Sequence, residues 1–180
     1  MWIIAPAAPR AQESRAKVNP HAARLKSFNE RLAQYVALEK KLERGLPEPR
    51  PGDRTTAIET RRAELAERIK EARAGAKPGD LFGDTQPMFR EIIARDAENR
   101  GMRDEYAALQ EVPAQNPPAV NTPYPVKAPL ATVPPLILVN LPRLPDGLEY
   151  RFMGRDLILR DQAANLIVDF VPGAVPAVKK

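Results

Sequence analysis

The stretch Leu148 to Val171, LEYRFMGRDLILRDQAANLIVDFV, decides the fold. In its first run Leu148, Tyr150 and Phe152 alternate with Glu149, Arg151 and Met153, the period of two that sends successive strand side chains to opposite faces. Gly154-Arg155 leads into a second run, Asp156 to Asp161. A two-residue loop with glycine first suits a type II′ turn, whose first central residue takes a positive φ that costs glycine nothing. Gln162 to Asn165 is a longer connection ending in asparagine, the side chain most at ease in the left-handed region after glycine. Leu166 to Val171 returns, with Leu166, Val168 and Phe170 expected on one face and Ile167, Asp169 and Val171 on the other, until Pro172 stops it. The pattern predicts a three-stranded antiparallel meander. Three short strands with one apolar face are marginal alone, so the rest of the chain has to cover them.

Upstream the period changes from two to three and four. Asn19-Pro20 is an N-cap followed by proline at the first helical position, and Gly45 and Pro47 mark the other end. Between them Leu25, Phe28, Leu32, Tyr35 and Leu42 form one narrow seam, flanked by Val36 and Leu38 and broken at Glu39. Thr56 to Glu59 has the capping-box spacing and predicts a second helix to about Ala74, with Ile58, Leu65, Ile69 and Ala72 as its stripe. Two thin stripes joined by a short connection read as an antiparallel helical hairpin in which each helix buries the other's seam. After the turn-rich Lys77 to Thr85, a third helix runs from Gln86 or Pro87 to Arg100 on Met88 or Phe89, Ile92, Ile93 and Ala97. Met102 to Glu111 either continues it or forms a fourth.

Ten of the 36 residues from Val112 to Gly147 are proline, a density that excludes regular sheet and favours an extended strap. Within it Pro134 to Leu141 has the composition for a turn or two of helix. The expected class is α+β: a long helical hairpin and a shorter helix (13–111), a proline-rich strap (112–147), a β-meander (148–172) and a tail (173–180).

The first twelve residues, MWIIAPAAPRAQ, have the apolar and small-residue character of a truncated export signal, lacking its basic start. An ordinary cytosolic N-terminus is the other reading; the small residues favour export to the periplasm. The 180 residues carry no cysteine, which excludes disulfides, thiolate chemistry and Cys-ligated metals. No apolar run approaches the ~20 residues of a membrane span. The net charge of +5 is spread out: 20 basic and 18 acidic residues lie between Glu13 and Glu111, and 7 and 5 beyond. Without a basic stripe or motif, specific nucleic-acid binding is not expected.

The run APLATVPPLILVNLPRLPDGLEYRFMGRDLILRDQAANLIVDFVPGAVP, with AARLKSFNERLAQYVALEKKLE and ARAGAKPGDLF upstream, resembles a group of uncharacterised exported bacterial proteins of about this size. That resemblance implies export and this domain arrangement, and no activity. More distantly, LPRLPDGLEYRF and its hairpin resemble the C-terminal β-element of periplasmic RcnB-like proteins, which implies a link to nickel and cobalt homeostasis over roughly Pro134 to Val171, without the ligands.

No side-chain constellation announces a reaction. His21 is the only histidine, and divalent transition metals usually take three or four ligands, so neither a metal nor a cofactor is expected. Ser14 and Ser27, the only serines, sit in no nucleophile elbow. Asp156, Asp161 and Asp169 are the best candidates for a carboxylate cluster, although turn and strand-end aspartates are usually structural. Arg151, Arg155 and Arg160 beside Tyr150 suit recognition of a carboxylate or phosphate, or cross-strand pairing with Glu149, Asp156 and Asp161. The expectation is a non-enzymatic module that meets a protein partner or a second copy through the helical seam (Leu25, Phe28, Leu32, Tyr35) or the meander edge (Tyr150, Arg151, Arg155, Arg160). The alternatives are a metal-homeostasis accessory and a carboxylate-based envelope enzyme.

Overall fold

The computed structural model describes residues 20–47, 55–99, 117–125 and 133–177. The chain is α+β. Its elements are α1 (Pro20–Glu43), α2 (Thr55–Ala72), a 3-10 turn (Gly83–Thr85), α3 (Gln86–Asn99), β1 (Thr122–Pro123), α4 (Pro135–Asn140), β2 (Leu148–Met153), β3 (Asp156–Asp161) and β4 (Leu166–Val171). The helix expected over Met102 to Glu111 and the export-signal remnant lie outside the described residues. α2 begins at Thr55, so Thr56 stands in the first turn rather than at the cap, and its carbonyl accepts a hydrogen bond from the Thr60 hydroxyl.

β2, β3 and β4 form the meander in antiparallel register, Leu148 opposite Asp161 and Leu157 opposite Val171. Gly154 has φ +58° and Arg155 is not left-handed, as a type II′ turn requires, and Asn165 takes φ +53° at the second turn. The proline-rich strap adds what its composition seemed to forbid. Thr122–Pro123 pairs with β4, extending the sheet to the order β1-β4-β3-β2. An edge position tolerates Pro123 because the flanking residues make the bonds: Asn121 N–H donates to Ile167 O and Tyr124 N–H to Asn165 O, each at 2.8 Å.

The alternation expected for β4 fails at one point. Leu159 faces Asp169 while Arg160 faces Ile167, so Val168 is an extra residue in a β-bulge. The bulge turns Val168 and Asp169 to the same side. Leu166, Val168 and Val171 therefore join the face beneath the helices, whereas Ile167 and Phe170 pack on the outer face with Ile158 and Tyr124. Both faces are covered, which is why all six residues of β4 are buried.

The helical seam is interior. Phe28, Leu32 and Tyr35 of α1, Leu65 and Ile69 of α2, and Phe89 and Ile93 of α3 share one core with Leu157, Leu159 and Val168 of the sheet. Each helix thus buries its stripe against the sheet and the 81–82 turn as well as against its neighbour; Ile58 and Ala72 of the expected α2 stripe are exposed. Phe28 stacks on Phe82 and Phe89 meets both edge-on, with centroids 4.9 to 5.7 Å apart, and Phe89 reaches Tyr150 at 5.8 Å. The strap contributes Val133 and Ile137, and past the meander Ala174 and Val175 close the same core.

Candidate functional site

Three buried polar arrangements and two clefts are candidates for function. In the first, the bulge delivers the Asp169 carboxylate, fully buried, to the Lys77–Thr85 turn. Its Oδ1 accepts N–H bonds from Gly79 (2.6 Å) and Phe170 (2.8 Å), and its Oδ2 from Leu81 and Phe82 (2.8 Å each). Burial pushes this carboxyl up and the four N–H donors oppose the rise. All its bonds are internal, so the group is a structural pin. From the other side Arg31 of α1 holds the same turn, donating to Leu81 O (2.7 Å) and Phe82 O (3.0 Å).

The second lies where α1 meets the β3–β4 connection. Tyr35 donates its hydroxyl to Asp161 Oδ2 at 2.6 Å, and Asp161 Oδ1 accepts the Ala164 N–H at 2.8 Å. Burial, then the Asp161 charge, push the Tyr35 phenol far up, so it remains a donor. Glu39, one helical turn on, is buried at the position where the seam was broken; burial and then the Asp161 charge raise its carboxyl to about 7. Arg73 lies 5.1 Å over the Tyr35 ring and donates both terminal nitrogens to the bulge carbonyl of Val168. Neither Glu39 nor Asp161 borders the two clefts below. Both acids are thus placed away from those two clefts. The expected cluster of Asp156, Asp161 and Asp169 is likewise dispersed. Asp156 accepts the Gly173 N–H at the hairpin end, and the other two are held as described. Turn and bulge geometry, which hold each carboxylate beside backbone donors, keep them apart.

The third is on the outer face. Glu149 receives Arg151 at 2.7 Å through Oε2 and Arg160 through Oε1. Burial pushes the Glu149 carboxyl up, and the guanidinium hydrogen bonds outweigh it, holding it below the usual carboxylate range. Arg160 also bonds Asn165 Oδ1 and lies 4.9 Å over the Tyr124 ring. The Tyr124 hydroxyl and Arg151 Nε are buried without an acceptor.

The residues expected at the meander edge are thus divided. Arg151 and Arg160 come together on Glu149. Tyr150 points to the inner face and donates to Pro142 O at 3.0 Å, and Arg155 turns to the C-terminal segment, donating to Val175 O. Of the expected cross-strand acids only Glu149 serves as a partner. Phe28, Leu32 and Tyr35 are core and offer no surface, because the sheet and the 81–82 turn occupy the side they would present; Leu25 alone of that seam borders a cleft. His21 is exposed, and among the described residues no three His, Asp or Glu side chains gather to hold a metal ion.

The clefts flank α4. One, of about 320 Å³, runs along the free side of β2 and is walled by Val133, Leu138, Leu144 and Arg143. The other, of about 350 Å³, lies between α1, α3 and the end of α4, reaching Leu25, Met88 and Ile92. They share Pro142 and Arg143. On α4 itself Leu138 is 44% and Val139 80% exposed. Sequence reading missed this region, since its own signal, an apolar Leu136-Ile137-Leu138-Val139 run in a proline strap, reads equally well as a segment folded inward. Among the described residues no helix is long and apolar enough to cross a membrane. Comparisons with family models, curated proteins and solved structures find no match.

Proposed function

We propose that the chain is an exported, non-enzymatic protein that acts as an interaction module, and that its contact surface is the β2 side of the meander together with α4. The reading rests on one observation. α4 buries Ile137 in the core yet leaves Leu138 and Val139 exposed beside an open cleft. Full burial of an exposed aliphatic side chain is worth roughly 1.5–3 kcal/mol, of which a partner surface would recover most at Val139 and about half at Leu138. The meander and the helices then serve as the rigid frame that presents this strip.

The absence of cysteine makes the test clean, because Val139→Cys creates a single attachment point for a cleavable crosslinker. The expected outcome is an adduct, to itself or to an envelope protein, that Val139→Cys forms and the exposed α1 control Ala37→Cys does not. Light scattering over a concentration series separates self-association from a foreign partner. A monomer at every concentration that gives the same adducts from both positions would refute the reading.

A further inference from the structure

We infer that the cleft along β2 is a receptor for the C-terminal end of an extended peptide whose last residue is aliphatic. The inference rests on the interaction-module reading and specifies the ligand. Three features of the cleft each recognise a different part of such a chain end.

The first is backbone. β2 is the outer strand of the sheet. The two-residue turn after Met153 and the bond from Gln162 N–H to Gly147 O fix which residues bond to β3: Glu149, Arg151 and Met153 point inward. Leu148, Tyr150 and Phe152 consequently aim their N–H and C=O away from the sheet. The Leu148 N–H is already taken by Pro145 O, and Phe152 is only 1% exposed. Tyr150 is the position whose outward backbone faces the cleft, so an added strand has one register in which to pair.

The second is apolar. Val133, Leu138 and Leu144 form a wall opposite β2, with Leu138 already half in solvent. About 320 Å³ is at the small end of ligand pockets, enough for a side chain or two and not for a long strand. The third is charge. Arg143 lines the cleft and has no carboxylate partner among the described residues, whereas Arg151 and Arg160 share the single carboxylate of Glu149. Of the charged groups that line the cleft, Arg143 and Arg151 stand against the one carboxylate of Glu149, an excess of one positive charge, and guanidinium forks match carboxylates.

Why a chain end rather than a passing strand follows from the shape. The lining stops at Arg151, and the covered Phe152 closes the groove beyond it, so a peptide laid along Tyr150 cannot run through. It must terminate there. Of the two kinds of terminus, the arginines select the carboxylate.

The test titrates the full chain with three probes, followed by calorimetry and amide shifts: a pentapeptide ending in Val-Leu with a free carboxylate, the same peptide as its C-terminal amide, and octanoate. The free acid is expected to bind and to shift the Tyr150 amide, with the amide peptide and octanoate each weaker by about tenfold, the loss of one charge-assisted or backbone contact set. Arg143→Ala is expected to weaken the acid by about tenfold and leave the amide peptide unchanged. Leu138→Glu, at an exposed position, is expected to weaken both peptides. Acid and amide binding equally, octanoate matching the peptide, or no binding at millimolar concentration would each overturn the inference. Should the Val139→Cys adduct persist while the free-acid peptide fails, the chain-end ligand falls and the module reading stands; if both fail, both fall.

Discussion

Removing the Asp169 carboxylate tests the tertiary argument most directly, because a single side chain joins β4 to the turn that carries Leu81 and Phe82. Asp169→Ala strips acceptors from four N–H groups, of which those of Leu81, Phe82 and Phe170 are buried. An unsatisfied buried donor costs roughly 1–3 kcal/mol, so with three of them a rigid structure would lose roughly 3–9 kcal/mol. The turn has one escape, which is to swing outward and hydrate its amides. That route pulls Phe82 from between Phe28 and Phe89 and forfeits a buried aromatic side chain, itself about 3–5 kcal/mol for complete removal. Either way the expected loss is at least about 3 kcal/mol, a large share of the roughly 5–15 kcal/mol that stabilises a typical domain. Asp169→Asn keeps one oxygen for one pair of donors but aims an amide NH₂ at the other pair, so it should recover less than half of the loss. Urea unfolding followed by far-ultraviolet circular dichroism measures both. A loss below about 1 kcal/mol for Asp169→Ala would show that the four bonds do not hold the turn to the sheet, and the packing account of Phe82 would go with it.

Other perturbations probe separate parts. The folded Glu39 carboxyl, raised to about 7 from its ordinary 4.5, favours the protonated form, so its contribution is complete below pH 4.5 and is lost as pH rises through 7. Glu39→Gln should therefore match the parent near pH 4 and exceed it at pH 8 by about 1–2 kcal/mol, discounted for residual solvent at the seam; parallel pH–stability curves would refute this. Tyr35→Phe leaves Asp161 Oδ2 buried without its donor and should cost about 1–3 kcal/mol by chemical denaturation. Gly83→Ala, at φ +55° with the Arg31 guanidinium packed where a Cβ would stand, should lower the melting temperature by several degrees, roughly 1–2 kcal/mol, and an unchanged melting temperature would contradict that packing.

The parts of the fold that local rules dictate were legible. Alternation at Leu148 to Met153, glycine at the hairpin turn, Asn165 at the left-handed position and proline at the start of α4 all follow from the chemistry of one or two residues. The break in the seam at Glu39 was legible as well, though its meaning was not. A single acid in an apolar stripe reads as a defect until the sheet brings Asp161 and Tyr35 against it. What escaped was decided at long range. Nothing in LIVDFV marks Val168 as the extra residue of a bulge; the bulge exists because Asp169 is bonded to backbone 87 to 90 positions earlier and Arg73 holds the Val168 carbonyl from 95 positions earlier. Pro123 in a strand violates a composition rule that holds for inner strands and lapses at an edge.

These long-range bonds also account for the interior position of the helical seam. Arg31 and Asp169 clamp the 77–85 turn from opposite sides, Arg73 ties the end of α2 to the bulge, and Tyr35 ties α1 to the β3–β4 connection. Each bond draws an apolar stripe inward, so Phe28, Leu32 and Tyr35 of α1 and Leu65 and Ile69 of α2 are buried within the one chain. The N-cap residue of α4 is Pro134, which supplies no side-chain cap, and beyond its other end the Leu141 N–H donates to Ile137 O and Leu138 O. α4 is six residues long, far below the length at which a helix is stable by itself, and among its described side chains Ile137 is the one fully buried. A single turn and a half of helix that buries Ile137 and turns Leu138 and Val139 outward, next to a cleft lined by Arg143, is the feature on which the proposed contact surface rests.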